Sequence, residues 1–306
     1  MNHSTTLPKK VKIVEVGPRD GLQNEKQFVE NQIKIHLINQ LSAAGFANIE
    51  AAAFVSPKWV PQMAGSDVVM QGIERKPNTI YSVLVPNMQG LEKALAAKAD
   101  EIVIFGAASE AFSQKNINCS IEESIARFIP VVNAAKEAGV RTRASVSCAL
   151  GCPYEGDIDP AKVANVVQRM ADLGCDEIDI ADTIGVGTPG KVKAVFERVS
   201  QIFPIARLSG HFHDTYGQSL ANIYAALEVG VSTFHSSVAG LGGCPYAKGA
   251  TGNVATEDVL YLLRGLGIET NVDFEAVARI GGQISKLINR PNGSRAGRAY
   301  LAKLGE

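Results

Sequence analysis

The sequence predicts an α/β protein of the (β/α)8, or TIM-barrel, class. Three observations carry that prediction. Eight short apolar runs rich in β-branched residues recur along the chain, and amphipathic stretches of helical period separate them. No Pro/Gly-rich linker interrupts the alternation, and 306 residues suit one barrel of about 250 residues with an extension left over. A doubly wound open sheet is the rival arrangement for the same alternation.

In order, the strand-like runs are VKIVEV (11–16), ANIEAAAF (47–54), TIYSVLV (79–85), EIVIFGA (101–107), RTRASVSC (141–148), DEIDIAD (176–182), ARLSGHFH (206–213) and STFHSSV (232–238). Between them, NQIKIHLINQLSAAG, SIARFIPVVNAAKEAG, PAKVANVVQRMADLG and KVKAVFERVSQIF are amphipathic. In QSLANIYAALEVG, Leu220, Ile223, Tyr224 and Leu227 recur at helical spacing. Gly45, Gly139, Gly174 and Gly230 stand where a helix ends on a left-handed residue. Residues 1–10 are expected to be a flexible tail, 11–271 the barrel, and 272–306 a helical extension packed on it, carrying FEAVARIGGQISKLIN.

Thirty basic residues balance 31 acidic ones, which argues against nucleic acid or a membrane surface as a partner held by bulk charge. No apolar run reaches the roughly 18 residues of a membrane-spanning helix. The opening MNHSTTLPKK lacks the apolar core of a secretory signal, so a cytoplasmic protein is expected. Five cysteines, 119, 148, 152, 175 and 244, are odd in number and scattered, which predicts reduced thiols rather than a disulfide framework.

Chemistry enters at GHFHDTYGQ (210–218). On a strand, His211 and His213 share one face, and two neutral imidazoles side by side suit a metal; alternatively one packs and the other meets solvent. In a TIM barrel the active site lies at the C-terminal ends of the strands. The polar residues at those ends are Arg19 and Asp20, Glu50, Asp182, His211 and His213, then Cys244 and Asn253 past the eighth strand. Asp20 and Asn253 could supply the oxygen ligands that two histidines lack. Asp214 is expected to cap the following helix.

VGPRDGLQNEK (16–26), FVSPKWVPQM (54–63), CALGCPYEG (148–156), ADTIGVGTPG (181–190), HFHDTYGQ (211–218) and SVAGLGGCPYAKGATGN (237–253) resemble the 3-hydroxy-3-methylglutaryl-CoA lyase family, metal-dependent TIM-barrel carbon–carbon lyases. The motifs span nearly the whole barrel. The resemblance implies cleavage of the thioester into acetyl-CoA and acetoacetate, an acyl-CoA substrate and a homodimer. It also implies a divalent cation held by Asp20, His211, His213 and Asn253. A mixed N/O set suits octahedral Mg²⁺ or Mn²⁺. The family's arginine falls on Arg19, expected to stabilise an enolate oxygen, and its cysteine on Cys244, expected to protonate the enolate carbon. Asp182 is the preferred acceptor of the substrate hydroxyl proton, with His211 as the alternative. Glu50 either orients Arg19 or serves the site directly.

The chain departs from the family at Ala52-Ala53, usually Thr-Ser, at Ser145, usually Tyr, and at His235, usually Asp. Ser145 and Ala53 are therefore candidate substrate-binding positions, and their lost volume would suit a C3 substituent bulkier than methyl; drift at positions facing elsewhere is the alternative. A condensing enzyme and a non-catalytic acyl-CoA or metal binder are the rival functions. The short extension leaves no room for the accessory domain usual in condensing relatives.

Overall fold

In the computed structural model, which describes residues 7–243 and 251–305, the eight apolar runs form a closed, all-parallel barrel. Its strands are β1 (Lys12–Glu15), β2 (Asn48–Ala53), β3 (Ile80–Leu84), β4 (Glu101–Ala107), β5 (Arg141–Ser147), β6 (Glu177–Asp182), β7 (Leu208–Phe212) and β8 (Thr233–Ser236). β8 closes on β1 with Lys12 beside Thr233 and Glu15 beside Ser236. Parallel strands need crossovers, and each is helical. The helices are α1 (Asn31–Ala43), α2 (Ser66–Gly72), α3 (Met88–Ala96), α4 (Glu110–Ile117), α5 (Ile121–Glu137), α6 (Pro160–Leu173), α7 (Pro189–Val199), α8 (Ser219–Glu228) and α9 (Thr256–Gly265). The rival open sheet is excluded by the β1–β8 pairing.

Local sequence sets the helix ends. Ser120 and Glu123 form a reciprocal capping box before α5. Asp159 caps α6 ahead of Pro160, and Gly174 ends that helix with φ 92°. Asp214 accepts hydrogen bonds from the Ser219 N–H and hydroxyl at the start of α8, the capping role expected of it.

The barrel interior decides the function. Such interiors are ordinarily layers of branched apolar side chains. Here polar groups reach between strands that are not neighbours: Lys12 to Glu177 at 2.6 Å, Asn48 to Glu101 at 3.1 Å, and Arg143 to Glu50 at 2.7 Å. Only inward-facing side chains can make those bonds. The apolar core lies mainly outside, where residues such as Ile102, Ile104, Val131, Val166 and Phe196 fill the space between sheet and helices.

Both chain ends are tied to the barrel. Residues 1–6 of the expected tail lie outside the described residues, but Lys9 and Lys10 are not loose: Lys9 O accepts from Glu269 N (3.0 Å), and Lys10 bridges Glu269. The C-terminal extension forms α10 (Phe274–Leu287) and α11 (Arg295–Leu304), which contact α1, α9 and each other. Buried Asp258 on α9 ties it down, accepting from Ser294 Oγ (2.7 Å), Arg295 N (3.2 Å) and Ala296 N (2.7 Å). Further up, Arg290 pairs with Glu25 and donates to Gly240 O and Gly242 O, so the extension reaches the rim of the barrel mouth.

Asp258→Ala leaves those donors without their acceptor. Chemical denaturation should show a loss of about 1–3 kcal/mol, with Asp258→Asn closer to wild type. A midpoint unchanged in Asp258→Ala would show that the extension is not held this way.

Candidate metal centre and active site

The stretch after β1 is a single wide turn. Gly21 N bonds back to Val16 O (3.1 Å), an i to i+5 closure that lifts Arg19 and Asp20 over the mouth. Glycines bracket it by steric necessity: a Cβ at Gly17 would meet Glu15 Oε1 at 2.6 Å, and one at Gly21 would meet Ser237 Oγ at 2.7 Å. At β7 the chain leaves the barrel as an antiparallel pair with 252–254, through Asp214 N to Gly252 O (2.9 Å) and Val254 N to Phe212 O (3.1 Å). That pairing sets Asn253 against His213.

The four expected ligands therefore converge from three loops. Asp20, His211 and His213 each offer an atom within 4.8 Å of the others, and Asn253 Nδ2 donates to Asp20 Oδ2 at 2.8 Å. His211 Nε2 lies 3.9 Å from Asp20 Oδ2. His213 Nδ1 is buried without a hydrogen-bond partner, an orphan that a cation would satisfy. Burial, then the neighbouring His211, lowers the His213 pKa to about 4, so the ring is neutral and free to donate its lone pair. Burial opposes ionisation of Asp20, yet Arg19 and the two histidines overcome it and hold the carboxyl well below its ordinary range. Neutral imidazoles and an ionised carboxylate with a carboxamide are a donor set that fits a hard divalent cation.

Beneath the cluster runs a closed ring of polar contacts. Arg19 donates to Asp20 Oδ1 (2.9 Å) and to Glu50 Oε1; Glu50 Oε2 accepts from Arg143 Nη2 (2.7 Å). Arg143 Nη1 lies 3.0 Å from His235 Nε2, His235 Nδ1 lies 3.2 Å from His211 Nδ1, and His211 faces Asp20 again. Glu50 thus orients Arg19, one of its two expected roles. Arg143, Asp179 and His235 were not among the expected site residues. Their signal was present as charged or polar residues on the same face of β5, β6 and β8.

The remaining expected residues make further contacts. Asp182 is fully buried, and its carboxylate accepts from Val186 N (3.0 Å) and Gly187 N (2.9 Å), which clamps the turn that follows β6. Burial raises its pKa to about 6, against those bonds and the nearby His211. Ala53 lines a groove with Ser66, Asp67, Lys93 and Ala97, between α2 and α3, and its carbonyl accepts from Ser66 Oγ (2.8 Å). Ser145 faces inward, donating to Asp179 Oδ1 at 2.7 Å. Cys244 lies outside the described residues; Cys119, Cys148, Cys152 and Cys175 are buried and form no disulfide with one another.

Two more buried carboxylates hold the segment that leads toward Cys244. Glu15 accepts from Gly17 N, Val238 N and Thr256 Oγ1, and Glu257 accepts from Ala239 N, whose left-handed φ of 56° is unusual for alanine. Burial pushes Glu15 up to about 7 and Glu257 up to about 8.

An eight-stranded parallel barrel with a cluster of N/O side chains and a guanidinium at its C-terminal mouth defines a TIM-barrel protein with a candidate metal site. The chain belongs to the HMGL-like family, whose profile matches residues 10–284. It is 59% identical over 97% of its length, and 99% of the relative's, to the 3-hydroxy-3-isohexenylglutaryl-CoA/hydroxy-methylglutaryl-CoA lyase of Pseudomonas aeruginosa. It is 58% identical over 96% of its length, and 90% of the relative's, to the mitochondrial hydroxymethylglutaryl-CoA lyase of Rattus norvegicus. Among solved structures, the hydroxymethylglutaryl-CoA lyase of Pseudomonas aeruginosa superposes with a TM-score of 0.96 at 58% identity, covering 97% and 99% of the two chains. An HMG-CoA lyase from Acinetobacter baumannii in complex with coenzyme A and 3-methylmalate gives 0.91 at 36% identity, covering 100% and 97%.

The raised carboxyl of Glu257 has a stability signature. Between its ordinary value of 4.5 and about 8 the folded chain binds a proton that the unfolded chain has released. Stability contributed by that proton is present at low pH and lost as pH rises through this window. Glu257→Gln keeps an acceptor for Ala239 N and should flatten the fall in unfolding free energy between pH 5 and 8, read by urea denaturation at each pH. An unaltered slope would refute the assignment.

Proposed function

We propose that the chain is a divalent-cation-dependent lyase that cleaves 3-hydroxy-3-methylglutaryl-CoA into acetyl-CoA and acetoacetate. The observation that carries this reading is the convergence of Asp20, His211, His213 and Asn253 beside Arg19 at the barrel mouth. In the reaction the C3 hydroxyl loses its proton, C3 becomes the ketone of acetoacetate, and the C2–C3 pair departs as the acetyl-CoA enolate, which is then protonated at C2. A bound Mg²⁺ or Mn²⁺ would make the substrate hydroxyl more acidic.

The chain's residues divide the remaining work. Arg19, kept cationic by Glu50 and Asp20, presents a planar guanidinium fixed before substrate arrives, suited to the enolate oxygen. In this reading Asp182, its carboxyl raised to about 6 by burial, takes the hydroxyl proton, with His211 as the alternative acceptor. Cys244 supplies the proton for C2 in this reading, a thiol being largely protonated at neutral pH with an ordinary pKa of about 8.5. The described cysteines form no disulfide with one another, which suits a reducing, cytoplasmic setting.

One observation favours a wider substrate range. Ser145 stands on the inner face of β5 where the resembled family carries Tyr, and a bulkier C3 substituent would fill the volume released. The Pseudomonas aeruginosa relative's name joins an isohexenyl to a methyl substrate.

Two experiments test the pair of readings. Chelation should abolish cleavage, and His213→Ala should raise the cation concentration needed for half activity at least about tenfold while the fold persists. Full turnover in cation-free protein would sink the metal centre, and cation binding without cleavage of any 3-hydroxy-3-alkylglutaryl thioester would favour a mere binder. For the substituent, kcat/KM is compared for methyl and longer C3-alkyl thioesters in wild type and Ser145→Tyr. The variant should shift preference toward methyl by about 10-fold or more; an unchanged ratio would leave Ser145 outside the specificity pocket.

A further inference from the structure

The segment 239–243 passes beside Asn253 and has little conformational preference of its own. Ala239, Gly240 and Gly242 all take left-handed φ, 56°, 60° and 126°. Glycine gives up more backbone freedom on ordering than any other residue. No larger residue fits at 242, because a Cβ there would meet Asn253 Nδ2 at 2.7 Å. Order comes from outside the segment: each of its five carbonyls accepts a hydrogen bond from elsewhere in the chain. Gly293 N holds Ala239 O (2.9 Å), Asn253 Nδ2 holds Leu241 O (3.2 Å) and Asn24 Nδ2 holds Gly243 O (3.0 Å). The other two belong to one side chain. Arg290 Nη2 donates to Gly240 O (3.2 Å) and Gly242 O (3.0 Å), while its Nη1 pairs with Glu25. The carbonyl between them matters for the chemistry. Asn253 Nδ2 donates to Leu241 O and to Asp20 Oδ2 (2.8 Å), and both of those atoms can only accept. The amide nitrogen is thereby committed to them, and Oδ1 is the atom the carboxamide can offer a cation.

We propose that Arg290, on the link between α10 and α11, is a positioning residue: by holding Gly240 O and Gly242 O it keeps Leu241 O against the Asn253 carboxamide, which fixes that amide with its oxygen available to a cation. The proposal rests on the metal centre put forward above. Outer partners that orient a metal ligand typically contribute about 10–100-fold to affinity. The C-terminal extension, packed outside the barrel, thus sets the direction of a ligand at its mouth. Other ties of the extension do not involve the guanidinium: Gly293 N stays on Ala239 O, and Asp258 still holds Ser294, Arg295 and Ala296.

The test is a double-mutant cycle in the full chain, with Arg290→Met, Asn253→Ala and the two combined, each titrated with Mn²⁺ by calorimetry and melted to check folding. Arg290→Met keeps the aliphatic stem and removes every donor, and should weaken Mn²⁺ binding about tenfold or more. In the Asn253→Ala background the same change should alter affinity by less than about twofold, because the residue it acts through is gone. An equal loss in both backgrounds, as general loosening of the mouth would give, overturns the proposal. Should Arg290→Met not fold, Arg290→Lys decides. Lysine keeps the charge facing Glu25 but has one nitrogen where arginine uses two, so affinity should fall about threefold or more; a match to wild type would refute the role. Asn253→Ala weakened beside an unchanged Arg290→Met overturns the positioning role alone. Wild type that binds no Mn²⁺, or Asn253→Ala that binds it as tightly, overturns the ligand set of the metal centre and with it this proposal.

Discussion

One carboxylate holds the interior together. Glu50 is almost wholly buried, with Arg19 on one oxygen and Arg143 on the other. Burial alone would keep it protonated, but the two guanidiniums hold it ionised. Removing one partner of a buried pair is costly because it strands the other charge, by about 3–5 kcal/mol where this has been measured. Arg143 is itself 1% exposed and depends on Glu50, Glu101 and Asp179 together. Filling these positions with apolar side chains could serve stability equally well. What the ionic ring adds is direction: Arg19 and His211 are both oriented from below, with no contact from solvent needed.

The loops above that ring register through buried acceptors of their own. The turn at Gly17–Gly21, the pairing of β7 with 252–254, and the segment 237–243 all rest on buried acceptors: Val16 O, Gly252 O, and the carboxylates of Glu15 and Glu257. Arg290 adds a tie from the extension to the carbonyls of Gly240 and Gly242. The extension is therefore coupled to the mouth as well as to the outer helices.

The fold was legible because each strand is apolar on its outer face and each crossover has a helical period; the expected strand limits differ from the observed ones by a residue or two. The convergence of Asp20 with His211 and His213 was legible because two histidines at i and i+2 on a strand share one face, at the barrel end where the turn after β1 also arrives. The loop donors at 186 and 187 that hold Asp182 were not legible, because its position at the end of β6 says nothing about them. The register shift of β2 between Glu50 and Ala52 was not legible either, because it breaks the simple alternation. The roles of Glu15 and Glu257 depend on contacts across 223 and 18 residues, which no local pattern encodes.

The departures at 145 and 235 read differently once the interior is seen. With His rather than Asp at 235, the carboxylates facing Arg143 are Glu50, Glu101 and Asp179. Asp179 stands 3.6 Å from Arg143 and within 4.8 Å of a ring nitrogen of His235, and Ser145 donates to its other oxygen at 2.7 Å. A tyrosine at 145 would place a phenol ring where this short hydroxyl now reaches Asp179. The small residue at 145, the carboxylate at 179 and the imidazole at 235 therefore belong to one arrangement of charge around Arg143. The short side chain on β5 and the imidazole beside His211 are thus linked through a single buried arginine and the carboxylate opposite it.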